Sequence, residues 1–273
     1  ALAFSSLVNG HMMLLNPAPL RAKNNPHSKQ SAIDYSYTSP LSGPSQFPCK
    51  GYLVDMSDPS GAGASVQTYT AGAASSFSVT GGATHGGGSC QITLAYPADN
   101  FRKFTVIHSY EGSCPLSDGQ EFPFTVPADA PTGRAAFVWT WYNKIGNREI
   151  YQDAAAVTII AGTGSTPDIP FSERPDIFVA NMGSCTTIEG TEVIFPDPGP
   201  DVTRMLSNTM ASTMSSTIKG VCLPVNGIGN SGGSNGNAGP GVASSSLSMP
   251  PPTQATATLA SSASFFTALP TSA

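Results

Sequence analysis

Between about Ser65 and Gly162 the chain alternates short runs of β-branched and aromatic residues with clusters of Gly, Pro, Asn and Asp. The runs are SVQTYT (65–70), SSFSVT (75–80), CQITLAY (90–96), FTVIHSY (104–110), EFPFTV (121–126), RAAFVWTWY (134–142) and EIYQDAAAVTII (149–160). Such side chains pack well on a pleated, half-buried surface and the residues between them turn a chain, so each run predicts a strand. Seven short strands at this spacing predict an all-β domain, an antiparallel β-sandwich of immunoglobulin or fibronectin III type with long loops. No helical periodicity supports a large helical layer, and the best helical candidate, Thr203 to Lys219, is weak. Residues 16–48, with many Pro, Ser and Asn and little strand pattern, predict a long loop, which inside a compact domain is usually functional.

From about Val225 the chain changes character: NGIGNSGGSNGNAGPG is a linker sequence, and the remainder is rich in Ser, Thr, Ala and Pro without a single charge. Such a segment cannot bury enough apolar surface to fold, and its Ser/Thr/Pro bias fits an O-glycosylated stalk. At the other end ALAFSSLVNG reads as the end of a signal peptide, with Val8 and Gly10 as the small residues before a cut at His11. The expected organisation is a signal remnant at 1–10, a β-sandwich domain at 11–224 and a disordered tail at 225–273, in a secreted, extracellular protein. No other stretch approaches 18 continuous apolar residues, so no membrane span is expected.

The chain of 273 residues is long enough for one domain with a real core, and only 11% of it is charged, with a net charge of −5. That balance argues against a nucleic-acid or anionic-membrane partner, either of which needs a basic patch. Five cysteines fit an oxidising compartment, and without a C-x-x-C pair they resemble no zinc framework. An odd number leaves one thiol free or paired to another molecule.

Two motifs are decoys. HGGG at His85 looks like a lipase oxyanion hole, and GNSGG around Ser231 matches G-x-S-x-G, but the latter sits in linker sequence, not at a strand–turn–helix elbow. Of the four histidines, His108 lies within a strand and is expected to be buried and hydrogen-bonded. His27 lies in the long loop, solvated or facing substrate. His85 is flanked by glycines that let the backbone turn sharply and keep side-chain bulk away from its ring. His11 becomes special only if a protease cuts before it, which places a free amine beside its own imidazole. On a strand, Glu149 and Tyr151 share a face while Arg148 and Ile150 point the other way; that pair is either a solvated surface or part of a site.

In order along the chain, HMMLLNPAP, FPCKG, GGATHGGGSCQ, EGSCP, PTGRAAFVWTWYNKIGNREIY and FVANMGSC resemble the fungal lytic polysaccharide monooxygenases of auxiliary-activity family eleven, over residues 11 to about 195. The resemblance implies a chitin-directed copper enzyme on an immunoglobulin-like sandwich. It implies His11 and His85 as copper ligands, Tyr151 as the axial residue, Ala83 crowding the other axial side, and Glu149 beside the site. An external reductant, small molecule or protein, would reduce the copper, and dioxygen or hydrogen peroxide would be the co-substrate. Tyr151 would block axial ligation, Glu149 would position the oxygen species, and the 16–48 loop would join a flat surface for crystalline chitin. A monomer is expected. The chemistry agrees: amine and ring of an N-terminal histidine chelate, copper(II) favours tetragonal nitrogen sites, and an α-amino group with a pKa of roughly 7.7–8.0 offers little proton competition.

The chain departs from the family pattern at Ala154, where a cysteine is common. With that partner missing, the expected pairs are Cys90–Cys114 and Cys185–Cys222, leaving Cys49 free. Two other readings stay open at this point: a non-catalytic copper-binding cell-surface protein on the same scaffold, and a carbohydrate-binding module without metal.

Overall fold

The computed structural model describes residues 11–207 and 216–230. The leader 1–10, the tail from 231 with its Ser231 motif, and the middle of the helical candidate at 203–219 lie outside the described residues. Among the described residues the chain forms a β-sandwich with short 3-10 turns and long connections. All seven runs read from the sequence are strands: β2 (Gln67–Thr70), β3 (Ala74–Gly81), β4 (Gly88–Ala95), β5 (Thr105–Glu111), β6 (Glu121–Thr125), β7 (Gly133–Asn143) and β8 (Tyr151–Ile160). Four more accompany them: β1 (Met12–Asn16), β9 (Cys185–Thr187), β10 (Val202–Arg204) and β11 (Ile218–Gly220). The described ends of the helical candidate are therefore strand.

One sheet has the order β1-β3-β6; the facing sheet has the order β10-β5-β4-β7-β8-β2, and β9 pairs with β11 separately. Pairing is antiparallel throughout the middle of the large sheet, but its edge pairs β10–β5 and β2–β8 are parallel. Sandwich strands usually bury one face, yet the central strands here bury both. Along β7, Phe137, Trp139 and Trp141 enter a core shared with Met12, Leu14, Phe77, Ile92 and Phe122. The alternate residues Ala136, Val138 and Tyr142 enter a second core with Leu20, Phe47, Leu53, Phe104 and Phe178. Burying one such large side chain is worth roughly 1.5–3 kcal/mol, so both faces contribute to holding the sheet.

The second core explains the long loop. Residues 16–48 are not slack: Leu20 N–H donates to Ala154 O (2.7 Å), Leu41 N–H to Ile150 O (2.9 Å) and Cys49 N–H to the Gln152 side chain (2.8 Å). The loop is thereby fastened across the outer face of β8. Strand β1 escapes the sequence pattern because its residues MMLLN are a continuous apolar run followed by Asn, with no alternation to mark a strand. It pairs with β3 in the register Met12↔Gly81 and Leu14↔Val79. Gly81 is required there, since a Cβ would stand 2.0 Å from His11 O.

Disulfides join Cys90 to Cys114 (Cα–Cα 5.9 Å) and Cys185 to Cys222 (4.8 Å). Cys49 is unpaired and buried, and burial, reinforced by the nearby Asp153, raises its thiol well above the ordinary range, which leaves it inert. No helix among the described residues is long and apolar enough to cross a membrane.

The compact unit runs past Pro224, where the composition shift placed its end. Val225 and Ile228 pair, Ile228 is 7% exposed, Gly229 N–H donates to Asp176 Oδ2 (2.8 Å), and the Asn230 side chain both accepts from Val179 N–H (2.9 Å) and donates to Val179 O (2.8 Å). Linker composition is no bar to docking when the backbone finds partners of this kind. A chain ended at Asn230 is therefore expected to melt with the full-length protein. One ended at Pro224 is expected to lose on the order of 2–4 kcal/mol, from a buried Ile and several buried hydrogen bonds. Thermal unfolding of the two truncations checks this, and equal midpoints would return the boundary to 224.

Candidate metal centre

Three sequence-distant segments converge at one end of the sandwich. His11 immediately precedes β1. His85 lies on the connection between β3 and β4. Tyr151 opens β8, with Glu149 just before it. The His11 and His85 rings are stacked, with centroids 5.2 Å apart and planes at 29°, and the Tyr151 ring is 5.5 Å from His11. One ligand atom each from His11, His85 and Glu149 lie within 4.8 Å of one another, and all three residues are half-buried. Ala83 is on the His85 loop, two residues earlier.

The His85 loop owes its path to glycine. His85 itself has φ 51°, and Gly86, Gly87 and Gly88 come next with φ of 69°, 100° and 138°. A Cβ on Gly88 would stand 2.0 Å from Tyr142 O, and one on Gly86 would meet the Ile145 side chain. The HGGG run thus shapes a turn instead of forming an oxyanion hole. Ile145 N–H donating to His85 O (3.0 Å) and Lys144 N–H to Gly87 O (3.1 Å) lock the turn onto the segment after β7.

That segment is itself held by Asn143, which the sequence pattern does not single out. Asn143, 1% exposed, donates to Ile145 O (3.0 Å) and Asn147 O (2.7 Å) and accepts from Glu149 N–H (3.2 Å). Asn181 donates to Glu149 O (2.8 Å) from the opposite side. A signal for Asn143 does exist, since an Asn ahead of a Gly-containing turn bonds nearby backbone. Trp141 is a second residue that sequence reasoning passes over. Its ring lies 4.5 Å from Tyr151 and 5.9 Å from His85, forming the floor of the site.

Electrostatics favour neutral donors here. Burial lowers the His11 imidazole below its ordinary value, with Glu149 opposing and His85 assisting. A metal-ligating imidazole must be neutral, so this shift prepares it. Tyr151 Oη donates to Glu149 Oε2 at 2.5 Å, and burial together with that bond pushes the phenol far above its usual range. It is therefore a neutral phenol and not an anionic ligand. His85 Nε2 is buried without a hydrogen-bond partner. An unsatisfied buried nitrogen costs about 1–3 kcal/mol, a cost that a bound cation would remove. The donor set fits copper(II), which prefers imidazole nitrogen over the oxygen shells of Mg²⁺ or Ca²⁺.

The other two histidines stay away. His108 Nε2 bonds Thr203 Oγ1 (2.9 Å), its ring stacks on Tyr110 at 4.3 Å, and burial lowers it to about 4. His27 is half-buried in the long loop, where its backbone N–H donates to the Asn25 side chain.

The fold and the stacked histidine pair together define a β-sandwich protein with a nitrogen-donor centre open at one end. No family model matches the chain. It is 49% identical over 193 residues to AA11 family lytic polysaccharide monooxygenase A of Aspergillus fumigatus, covering 70% of this chain and 84% of that protein. It is also 35% identical to monooxygenase B of that family from Aspergillus fumigatus and 33% identical to a member from Aspergillus oryzae. In both cases 73% of this chain is covered, and it spans about half the length of those relatives (50% and 49%). A cellulose-active polysaccharide monooxygenase from M. thermophila, known from a crystal structure, aligns with TM-score 0.36 and 12% identity over 53% of this chain and 71% of that one, a partial likeness that carries no weight. The chain belongs to the AA11 family of lytic polysaccharide monooxygenases.

Beneath the site, β1 is clamped to β8 by one buried carboxylate. Asp153, 3% exposed, accepts Leu14 N–H through Oδ2 at 2.7 Å. Burial raises its pKa from 3.8 to about 7, opposed by the Leu14 bond and Lys50 and assisted by Asp34. Between those values the folded state holds a proton that the unfolded chain releases. The stability from Asp153 is thus present below about 3.8 and is lost as pH rises through about 7. Asp153→Asn removes that dependence. The stability of the variant relative to the parent is expected to improve from pH 4 to pH 8 by on the order of 3 kcal/mol. Thermal unfolding of both proteins across that range measures the gap, and a gap constant with pH would show that Asp153 does not titrate there.

Proposed function

We propose that the mature chain begins at His11, binds one copper ion, and oxidatively cleaves glycosidic bonds in chitin as a secreted, monomeric enzyme. The observation that carries this reading is the convergence of His11 and His85 on one point, with His85 Nε2 buried and unpartnered. Membership of the AA11 family supports the oxidation of a polysaccharide, and the resemblance of the chain's motifs to that family supports chitin and copper.

His11 would contribute its amine and a ring nitrogen, and His85 its ring nitrogen, a set of three nitrogen donors suited to copper(II). Copper cycling between its two oxidation states, fed by a small-molecule or protein electron donor, would supply activation of dioxygen or hydrogen peroxide. Tyr151, kept neutral and tied to Glu149, would limit access to the metal from its own side, and Ala83, two residues before His85, would crowd the site from the His85 loop. Glu149 has Oε2 committed to the phenol, which orients its second oxygen to accept a hydrogen bond or hold a proton beside the histidines. Asn143 and Asn181, gripping the Glu149 backbone, fix where that oxygen lies.

Cleavage between Gly10 and His11 would turn a delocalised amide nitrogen, a poor ligand, into an amine. Copper calorimetry on preparations starting at His11 and at Gly10 is expected to show much weaker binding for the latter, and equal affinities would sink the amine's role. The copper-loaded protein starting at His11, given β-chitin and ascorbate, is expected to release oxidised chito-oligosaccharides visible by mass spectrometry. Tight copper binding with no such products would favour the non-catalytic copper-binding protein instead.

A further inference from the structure

A groove of about 740 Å³ leads away from the histidine pair between β1 and the 16–48 loop. Its near end is the backbone of Gly81 and Gly82, and Gly82 N–H donates to His11 O (3.2 Å), so the groove starts within one residue contact of the site. Its volume lies within the roughly 300–1,000 Å³ of small-molecule sites. On β1 the inward residues Met12 and Leu14 are buried, while Met13 and Leu15 alternate outward to form an apolar wall. Opposite them stands Tyr35, 75% exposed, an unusual exposure for so large a ring. Its hydroxyl accepts a hydrogen bond from Gln30 Nε2 (3.0 Å). Lys23, Asn24 and Thr38 put hydrogen-bonding groups along the rim.

The floor is rigid. Lys50 Nζ pairs with Asp34 (3.0 Å) and lies 5.1 Å from the Tyr37 ring centre, and Tyr52 donates to Asp34 (3.1 Å). Asn24 Nδ2 donates to Leu15 O (3.0 Å), which fixes the distance between loop and strand. The groove is therefore preformed and does not depend on a ligand to open it.

We propose that this groove is a subsite for a single saccharide chain running away from the metal centre, with Tyr35 as the stacking platform. A pyranose has apolar C–H faces and a polar equator, which an aromatic ring, two aliphatic side chains and a polar rim match. An open cleft between strand and loop suits one chain freed from its neighbours better than a crystal face, which departs from the flat surface that the family resemblance implied for the 16–48 loop. The inference rests on the reading of the protein as a polysaccharide oxidase.

The test uses the metal-free protein and the hexamer of N-acetylglucosamine, monitored by NMR. Methyl and ring signals of Met13, Leu15 and Tyr35 are expected to shift. Tyr35→Ala is expected to weaken the affinity roughly three- to tenfold, the worth of an aromatic stacking contact, while Tyr35→Phe retains it. Copper affinity measured on the same variants is expected to be unchanged, because Tyr35 touches no proposed ligand. Shifts confined to other surfaces, equal affinity for Tyr35→Ala, or shifts produced by a phenolic reductant but not by the hexamer would each overturn the proposal. Oxidised products from β-chitin with no groove shifts would defeat the groove alone. Groove shifts with cellohexaose and none with the chitin hexamer would uphold the groove and defeat chitin as substrate.

Discussion

The site depends on the register of β7 against its two antiparallel neighbours. Strand β7 pairs with β8 so that Trp141 faces Tyr151, and with β4 so that Cys90 faces Trp141 and Gly88 faces Asn143. A slip of one residue along either ladder would turn Tyr151 out of the site and put an outer-core residue in its place. Both faces of these strands are buried, so burial alone does not choose between the two faces. The choice is made by shape: Trp139 and Trp141 fill the space between the sheets, and the alanines at 136, 154 and 156 let the long loop lie close against the other face. The disulfide from Cys90 to Cys114 ties the same ladder to the connection after β5.

Charge is scarce in this chain, and much of it serves as internal clamps. Glu111, fully buried on β5, accepts from Phe195 N–H (3.0 Å) and from Arg204 Nε (2.7 Å) on the parallel edge strand β10. Glu192, 1% exposed, meets Lys144 (3.2 Å) and Ser207 Oγ (2.6 Å). Asp176 accepts from the backbones of Phe104 and Gly229. Buried ion pairs of this kind add little net stability but are costly to break, so they specify position more than they strengthen the fold. They fasten the region after Ile160, which has few strands of its own, and Glu192 holds Lys144 directly beside the His85 turn.

The site residues are supported in layers. Tyr151 is braced by Trp141 below and by Glu149 at its hydroxyl, and Glu149 is held in turn by Asn143 and Asn181. Asp153 draws β1 onto β8 and so carries His11 toward His85. Each layer places a donor before any metal arrives, which limits the reorganisation that binding requires.

The strands from β2 to β8 were legible because β-branched and aromatic runs between Gly and Pro are a local signal, carried by each segment alone. Five site residues were also named from motifs: His11, Ala83, His85, Glu149 and Tyr151 stand in stretches whose order resembles one family. The supports under them were only partly legible. Asn143 bonds backbone two to six residues further on and carries the local signal of an Asn ahead of a turn. Asn181 and Asp153 act on partners that only folding brings near, and nothing about an isolated Asn or Asp announces such a partner. Strand β1 was hidden because MMLLN is a continuous apolar run without alternation, and the short strands β9, β10 and β11 because their segments are held through side-chain clamps in place of hydrophobic alternation. The docking of 225–230 contradicted its own composition because backbone hydrogen bonds, more than side-chain burial, hold it. The sequence by itself determined which segments extend and which residues carry donor chemistry, since both are properties of residues in series. The tertiary structure alone decided which donors meet, where the loop leaves a groove, and that the chain stays docked beyond Pro224, since these depend on contacts between segments far apart in the chain.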